Sequence, residues 1–108
     1  KQYISDRTAW QRMLKNLVDG TTDLLKNKQN LINKFPKKYT PFIHNDDNII
    51  ELDYPIKKYP EKIKSINLDK MPFVSGTLMG IKGQYLYFDN DKVLNIRKHQ
   101  GYEIDFSF

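Results

Sequence analysis

Apolar residues near the start of the chain recur at the period of an α-helix. The stripe follows Ser5 and Asp6, which are favourable N-cap residues, and it stops before Gly20, a typical C-terminal stop. Its members are spaced i, i+3, i+4, i+7 and i+8. They are Trp10, Met13, Leu14, Leu17 and Val18.

A second apolar stripe predicts another helix directly after the first. It begins at Thr21 or Thr22 and must end before Pro36, because proline cannot continue a helix. The connection would hold only about two residues, which favours an antiparallel helical hairpin. With the polar loop that follows, this hairpin would occupy residues 1–48. The apolar residues of the second stripe are Leu24, Leu25, Leu31, Ile32 and Phe35.

From residue 49 onward the apolar period changes from 3.6 to 2, which is typical of strands. Proline, glycine or Asp/Asn residues separate the alternating stretches. The pattern predicts five to six short strands, at 49–54, 63–68, 74–82, 84–88, 93–97 and 102–108.

Turn lengths predict which strand residues share a buried face. A one-residue shift would move every side chain to the other face, so an odd number of turn residues is required at 89–91 and at 99–101. Glycines at 76, 80 and 83 would permit a bulge or sharp coiling. The residues then expected on one buried face of an antiparallel meander are Leu86, Phe88, Leu94, Ile96, Ile104 and Phe106.

These elements predict an α+β fold in one compact domain. The helical hairpin of residues 1–48 would precede a small antiparallel, partly open β-barrel or curled sheet over residues 49–108. An SH3-like and an OB-like topology are equally compatible with the pattern, because local periodicity does not determine strand pairing.

Composition narrows the class of protein. The 108 residues include no cysteine, which excludes a disulfide framework, a thiolate zinc site and a cysteine nucleophile for this chain. No apolar stretch approaches the roughly 20 residues of a membrane span, so we expect no membrane association and a cytoplasmic location. Because the chain begins at Lys1 without methionine, we expect it to be a fragment with a further half upstream.

Two polar clusters and one pair of glycines have the composition of possible ion sites. His44, Asp46 and Asp47 lie in one loop, and residues 89–91 read Asp-Asn-Asp. Neither has the ligand spacing of a zinc or calcium site, so turns are the better interpretation. Gly80 and Gly83 precede a strand rather than a helix, unlike a phosphate-binding loop. We therefore expect no metal and no cofactor.

A catalytic interpretation would pair His99 with a carboxylate, either Glu103 or Asp105. The nucleophile or acid would then be Tyr102 or Ser107. Any hairpin tip can bring such residues together, and the chain has no Gly-x-Ser-x-Gly elbow. We expect no intrinsic active site.

Basic and aromatic residues are interleaved in the strand region, which favours single-stranded nucleic acid as a partner. The net charge of +5 agrees with an acidic partner, although lysines that merely confer solubility would produce it too. In the competing interpretation, Tyr85 and Tyr87 pack beneath the helical hairpin and the lysines only keep the surface soluble. The candidate nucleic-acid-binding residues are Lys57, Lys58, Lys62, Lys64, Lys82, Tyr85, Tyr87, Arg97, Lys98 and His99.

Two motifs carry a family resemblance. Residues 80–86 read Gly-Ile-Lys-Gly-Gln-Tyr-Leu, and residues 94–102 read Leu-Asn-Ile-Arg-Lys-His-Gln-Gly-Tyr. With the helical segment 5–15, they resemble the C-terminal half of the bacterial family known as domain of unknown function 2797. Ala9 and Gln11 depart from the Thr-Asn-Trp-Arg that the family commonly shows.

The resemblance implies a context rather than a reaction. Full-length relatives carry an upstream cysteine cluster that looks zinc-binding and a stretch similar to the GIY-YIG nuclease fold. Neither lies in this chain. Taken with the basic and aromatic residues, which favour nucleic acid, this context predicts an accessory module that binds nucleic acid beside such a half; the alternative is a structural or protein-interaction domain that docks onto it.

Overall fold

A computed structural model describes residues 5 and 7–107. The chain contains two compact units. Val18–Leu52 lie in the first unit with the described residues before Gln11, whereas Gln11–Leu17 lie in the second unit with the residues from Asp53 onward.

The first helix, α1, spans Trp10–Leu14 and is much shorter than the apolar stripe predicted. Asn16 adopts a left-handed conformation with φ 54°. The Asn16 N–H donates to the Met13 carbonyl (3.1 Å) and the Leu17 N–H to the Arg12 carbonyl (2.9 Å), the pattern of a Schellman cap. Asparagine tolerates this conformation, so the helix ends well before Gly20.

The second helix, α2, spans Leu24–Lys34 within the first unit. Asp23 caps its start, because the Asp23 carboxylate accepts a hydrogen bond from the Lys26 N–H at 2.9 Å. Phe35 is extended before Pro36, as that proline requires. The helix is confirmed, but α1 ends at Leu14, so the two-residue connection and the tight hairpin it implied are wrong.

A 3₁₀-helix at Lys37–Phe42 follows α2 in the segment predicted as loop. Across the described residues, none of the helices has the length and apolar content needed to cross a bilayer.

The second unit contains an open sheet. Its strands are β1 (Lys64–Ser65), β2 (Leu78–Lys82), β3 (Tyr85–Phe88) and β4 (Lys92–Asn95), in the order β1-β4-β3-β2. Neighbours among β2, β3 and β4 are antiparallel, and β1 is parallel to β4. The α+β class is confirmed. The predicted barrel of five to six antiparallel strands is wrong for the described part of the chain, which holds four strands in an open sheet.

The turn between β3 and β4 has the predicted register. Leu86 pairs with Leu94 across the three residues 89–91, so both lie on one face. The principal core lies on the other face, where Tyr87 pairs with Val93 and both pack with Leu14 of α1. The face predicted to form the core, which carries Leu86 and Leu94, is therefore not the principal core face, although Leu94 is buried on it.

Two predicted strands do not form. Residues 49–54 are irregular, and the only pairing nearby is an isolated bridge from Ile56 to Gly80. A 3₁₀-helix at Ile96–His99 follows β4 and replaces the predicted hairpin at 99–101. Residues 102–107 are unpaired, and the Phe106 side chain is 73% exposed, so its predicted burial is wrong. Phe108 lies outside the described residues.

Residues 55–66 cross the core face of the sheet, and we call them the crossing strap. At one end the Lys57 N–H donates to the Met79 carbonyl of β2 at 2.8 Å. At the other end the Ile66 N–H donates to the Val93 carbonyl of β4 at 2.9 Å. Between these anchors, Ile56, Tyr59 and Ile63 pack against the core cluster.

Gly80 allows the strap to approach β2 closely. A β-carbon built there would lie 2.6 Å from the Ile56 Cα and 2.7 Å from the Pro55 carbonyl oxygen. Both are backbone atoms, which cannot move aside as a flexible side-chain tip can. The register of β2 against β3 also shifts between Leu78 and Gly80, which agrees with the predicted bulge.

Gly80→Ala should therefore destabilise the second unit by about 1–3 kcal/mol, since the added methyl overpacks the contact with the strap. Urea unfolding measures the loss. Gly20→Ala is the matched control, because nothing lies within 4 Å of a β-carbon at that position. Equal midpoints for the two variants would contradict the close approach.

Candidate functional site

The crossing strap separates apolar from basic side chains. Its inward positions are buried or half-buried, whereas four lysines between them are exposed. Within residues 5 and 7–107, none of these four ammonium groups has an ion-pair partner. The strap therefore presents a row of free positive charge on a backbone fixed at both ends. The four residues are Lys57, Lys58, Lys62 and Lys64.

A cavity of about 410 Å³ lies between the strap and the β3–β4 turn. Aromatic and thioether side chains form part of its wall, and charged and amide side chains form the rest. Lys58 belongs both to the cavity wall and to the row of strap lysines, so the two features are continuous. The lining residues are Lys58, Tyr59, Pro60, Glu61, Met79, Tyr87, Phe88, Asp89, Asn90 and Asp91.

Two polar atoms of the cavity-lining residues are buried without a hydrogen-bond partner among the described residues. They are the Tyr87 hydroxyl oxygen and Asp89 Oδ1. Such groups normally have partners in folded proteins, because burial without one costs free energy. Both oxygens are enclosed by protein, and Asp89 Oδ1 lies so close to Gly76 that a β-carbon built there would be 2.6 Å from it.

Burial is the main cause that raises the pKa of Tyr87 to about 12, and the nearby Tyr59, Tyr85 and Tyr54 contribute to the same rise in that order. The Tyr87 side chain is 1% exposed. At neutral pH its hydroxyl is therefore protonated and able to donate a hydrogen bond.

The β3–β4 turn that carries the acidic residues is tightly held. Asn90 and Asp91 have left-handed φ values of 56° and 63°, which Asn and Asp tolerate better than most residues. Asp91 Oδ1 accepts a hydrogen bond from the Glu61 N–H of the strap at 3.0 Å. The turn and the strap thus fix each other, and the cavity has a defined shape.

Lys82 points into the fold rather than outward. Its ammonium donates to the Met13 carbonyl at 3.0 Å and to Asn16 Oδ1 at 3.4 Å. It also lies 4.9 Å from the Tyr54 ring centroid and 5.3 Å from that of Tyr59, within the range of cation–π contacts. A cation at the end of α1 also complements the helix dipole. Lys82 stabilises the α1 cap.

His99 is likewise used internally. Its Nε2 accepts a hydrogen bond from the Leu68 N–H at 3.1 Å, so the neutral ring carries its proton on Nδ1, which donates to the Asn95 carbonyl at 3.0 Å. The ring packs edge-on against Tyr102, whose hydroxyl donates to Asp69. Both ring nitrogens are occupied by backbone, and the side chain is 5% exposed.

The structure divides the ten predicted nucleic-acid-binding residues into three groups. The four strap lysines come together on one element. Arg97 and Lys98 are exposed on the 3₁₀-helix at Ile96–His99, and Tyr85 is half-buried against the core. The remaining members are interior: Lys82, Tyr87 and His99.

Asp89 was identified from sequence only as a turn residue. The polar residues 89–91 separate two alternating stretches and therefore indicate a turn. They do not indicate that the strap lies beside this turn. The cavity depends on this crossing, so sequence periodicity could not indicate it.

The loop around His44 contains local hydrogen bonds. The Asp46 N–H donates to His44 Nδ1 at 3.2 Å, and the Asn48 N–H donates to Asp46 Oδ1 at 2.9 Å. Lys28 forms an ion pair with Asp47 at 2.7 Å. Across the described residues, no group of three or more His, Asp or Glu side chains is placed to hold a metal ion.

These features define a small α+β protein with an open mixed sheet, a basic crossing strap and an adjoining cavity. The chain belongs to the family described as protein of unknown function (DUF2797), whose model matches residues 1–104. The family resemblance of the two sequence motifs is thereby confirmed. Comparisons with curated proteins and with solved structures found no match.

Tyr87→Phe should leave stability at neutral pH unchanged or slightly higher, because it removes a buried hydroxyl without a partner among the described residues. Tyr87→Ala should cost about 3–5 kcal/mol, as for other large aromatic truncations in a core. Thermal unfolding compares the two. A loss with Phe as large as that with Ala would show that the hydroxyl is bonded within the fold.

The same tyrosine gives a pH dependence. Its pKa in the folded protein is about 12, above the ordinary value of 10.0, so the folded state holds the proton more tightly. Its contribution to stability is complete below pH 10 and is lost as the pH rises toward 12, by roughly 2–3 kcal/mol in total. The Tyr87→Phe variant should not show this alkaline loss of stability when urea unfolding is measured between pH 9 and 12. Identical alkaline profiles would contradict the shift.

Lys82→Met should destabilise the second unit by about 1–3 kcal/mol, since it keeps the aliphatic stem but removes the ammonium that bonds the Met13 carbonyl. Lys57→Met is the control, because Lys57 is exposed. Urea unfolding should separate the two variants. A Lys82 variant as stable as the Lys57 variant would show that the buried ammonium is dispensable.

Proposed function

We propose that this chain is a non-catalytic accessory module that binds single-stranded nucleic acid, with the strap lysines contacting backbone phosphates. The carrying observation is the row of four exposed lysines without ion-pair partners among the described residues, all on one strap anchored at both ends. In a longer protein, the module would lie beside the zinc- and nuclease-like half that the family resemblance implies.

Charge supports this assignment. Residues 55–66 include four lysines and one glutamate, a net +3 out of the chain's +5. Neutralising phosphates with lysine releases condensed counterions, which supplies most of a sequence-independent affinity. The strap backbone is already ordered by its bonds to β2 and β4. Binding therefore requires ordering of the lysine side chains and little else.

The cavity favours single strands over duplexes. Tyr59 and Phe88 line it beside Lys58, so aromatic surface lies next to the phosphate-binding row. Single-strand binding proteins combine these two elements, because unstacked bases can pack on aromatic rings while cations follow the backbone. The bases of a duplex are already stacked and have no access to such a cavity.

Docking onto another protein segment is the second candidate function. It is favoured by exposed aromatic side chains, since large exposed apolar surface often marks an interface. Phe73 is 93% exposed and Phe106 is 73% exposed. Such docking would be insensitive to salt, which separates it from phosphate binding.

Fluorescence anisotropy with labelled single-stranded DNA and RNA at low salt tests the proposed function. We expect weak binding whose logarithmic affinity falls by about 0.7 per contacted phosphate against the logarithm of salt concentration. No binding below about 100 µM, a typical value for non-specific association, would overturn the proposal and favour docking.

Replacing Lys57, Lys58 and Lys62 together by glutamate should weaken binding uniformly across sequences. The matched control replaces Lys26, Lys37 and Lys70, which are also exposed, so the net charge changes equally. A thermal melt verifies that both variants fold. Equal loss in the two would show that total charge, rather than the strap, determines affinity.

A further inference from the structure

We propose that Phe73 stacks on a base of the bound single strand, beside the Lys64 end of the row of strap lysines. This inference rests on the proposed function, because the lysines must hold the strand while the ring contacts a base. Two observations carry it together: the Phe73 side chain is 93% exposed, and the loop that contains it is fastened next to Lys64.

The loop that contains Phe73 leaves the sheet and returns to it at neighbouring points of β4. It begins after Ile66, whose N–H donates to the Val93 carbonyl at 2.9 Å. It returns at Ser75, whose carbonyl accepts a hydrogen bond from the Lys92 ammonium at 3.0 Å. Lys92 and Val93 are consecutive residues of β4, so the start of that strand holds both ends of the loop.

The pairing of β1 with β4 brings Lys64 to the same place. Lys64 is the register partner of Lys92, and partners on neighbouring strands lie about 4.8 Å apart with side chains on one face. Phe73 is two residues from Ser75, so its Cα lies within about 7 Å of the Ser75 Cα. The Phe73 ring and the Lys64 ammonium can therefore contact the same short strand.

The loop is also joined to a second basic element. The Leu68 N–H donates to His99 Nε2 at 3.1 Å, and His99 belongs to the 3₁₀-helix that carries the exposed Arg97 and Lys98. Asp69, the one carboxylate in the loop, accepts a hydrogen bond from a tyrosine hydroxyl. Both elements that hold the loop thus carry positive charge, which favours an anionic strand over an apolar protein segment as the partner of Phe73.

The Phe73 ring contributes almost nothing to the packing of the unit. Single exposed apolar side chains are common on protein surfaces, so exposure alone does not indicate a site. An exposed ring beside lysines is more informative, because single-strand binding proteins combine these two elements. A base can stack on the ring while the lysines neutralise the phosphates on either side of it.

Anisotropy titrations with two labelled strands of equal length test the inference. One is an oligothymidylate, and the other is an abasic strand that keeps every phosphate but has no bases. Phe73→Ala should weaken binding of the oligothymidylate about 5- to 150-fold, the loss expected for one base stacked on an aromatic ring. Binding of the abasic strand should not change, because only its phosphates contact the protein.

The matched control is Phe42→Ala, since Phe42 is 83% exposed and lies in the first unit. It should leave the affinities for both strands unchanged. Phe73→Trp should bind the oligothymidylate at least as tightly as the unaltered protein, whereas Phe73→Leu, which keeps apolar bulk without a ring, should bind it as weakly as Phe73→Ala. Because the side chain is exposed, all of these variants should unfold at the temperature of the unaltered protein.

The outcomes separate this inference from the proposed function. Unchanged binding by Phe73→Ala, together with loss on reversal of the strap charges, would overturn the stacking role and leave phosphate binding by the strap intact. Full binding by Phe73→Leu, or equal affinities of the unaltered protein for the two strands, would overturn the stacking role as well. If neither strand binds the unaltered protein, the proposed function fails and the stacking role fails with it.

Discussion

Burial of the Tyr87 ring is the interaction on which the second unit depends. The ring belongs to β3, pairs with Val93 of β4, packs with Leu14 of α1 and is covered by the strap residue Tyr59. Four parts of the chain thus meet on one side chain. The cluster is small, so few other apolar contacts can compensate for its loss.

The strap that covers Tyr87 also forms the candidate site. Its inward side chains complete the core, and its outward side chains form the basic row. Packing and recognition are therefore coupled: the lysines are positioned because Ile56, Tyr59 and Ile63 are buried. A change that loosens the inward side would disperse the charge on the outward side.

Sequence periodicity predicted the elements that local chemistry determines. The α2 helix has its own Asp23 cap and ends at Pro36, and the β3–β4 register follows from a three-residue turn of Asp and Asn. The apolar stripe overestimated α1, because Asn16 ends that helix with a left-handed residue. Alternation over residues 102–107 predicted a strand, yet alternation cannot tell whether a partner edge is available.

The candidate site was predictable only in part, because long-range contacts that local patterns do not show determine which of its residues come together. Exposed lysines close together in sequence were identified from composition, and the strap brings them onto one surface. Lys82 and His99 looked equally basic, but long-range hydrogen bonds to Met13 and Leu68 place them inside the fold. The cavity joins Tyr59 to Asp89 through the parallel pairing of β1 with β4, a contact that no local pattern encodes.

The cap of α1 has a consequence for the order in which the second unit assembles. A five-residue helix has little stability alone, because nucleation is costly and isolated helices shorter than about 12 residues are marginal. Lys82, which bonds the Met13 carbonyl, lies 69 residues away in sequence. The β2–β3–β4 meander contains short-range contacts and can form early, whereas α1 must wait for it. The same asymmetry should let α1 open more often in the native state than the β2–β3–β4 meander, so that its amides exchange with solvent sooner than those of the meander.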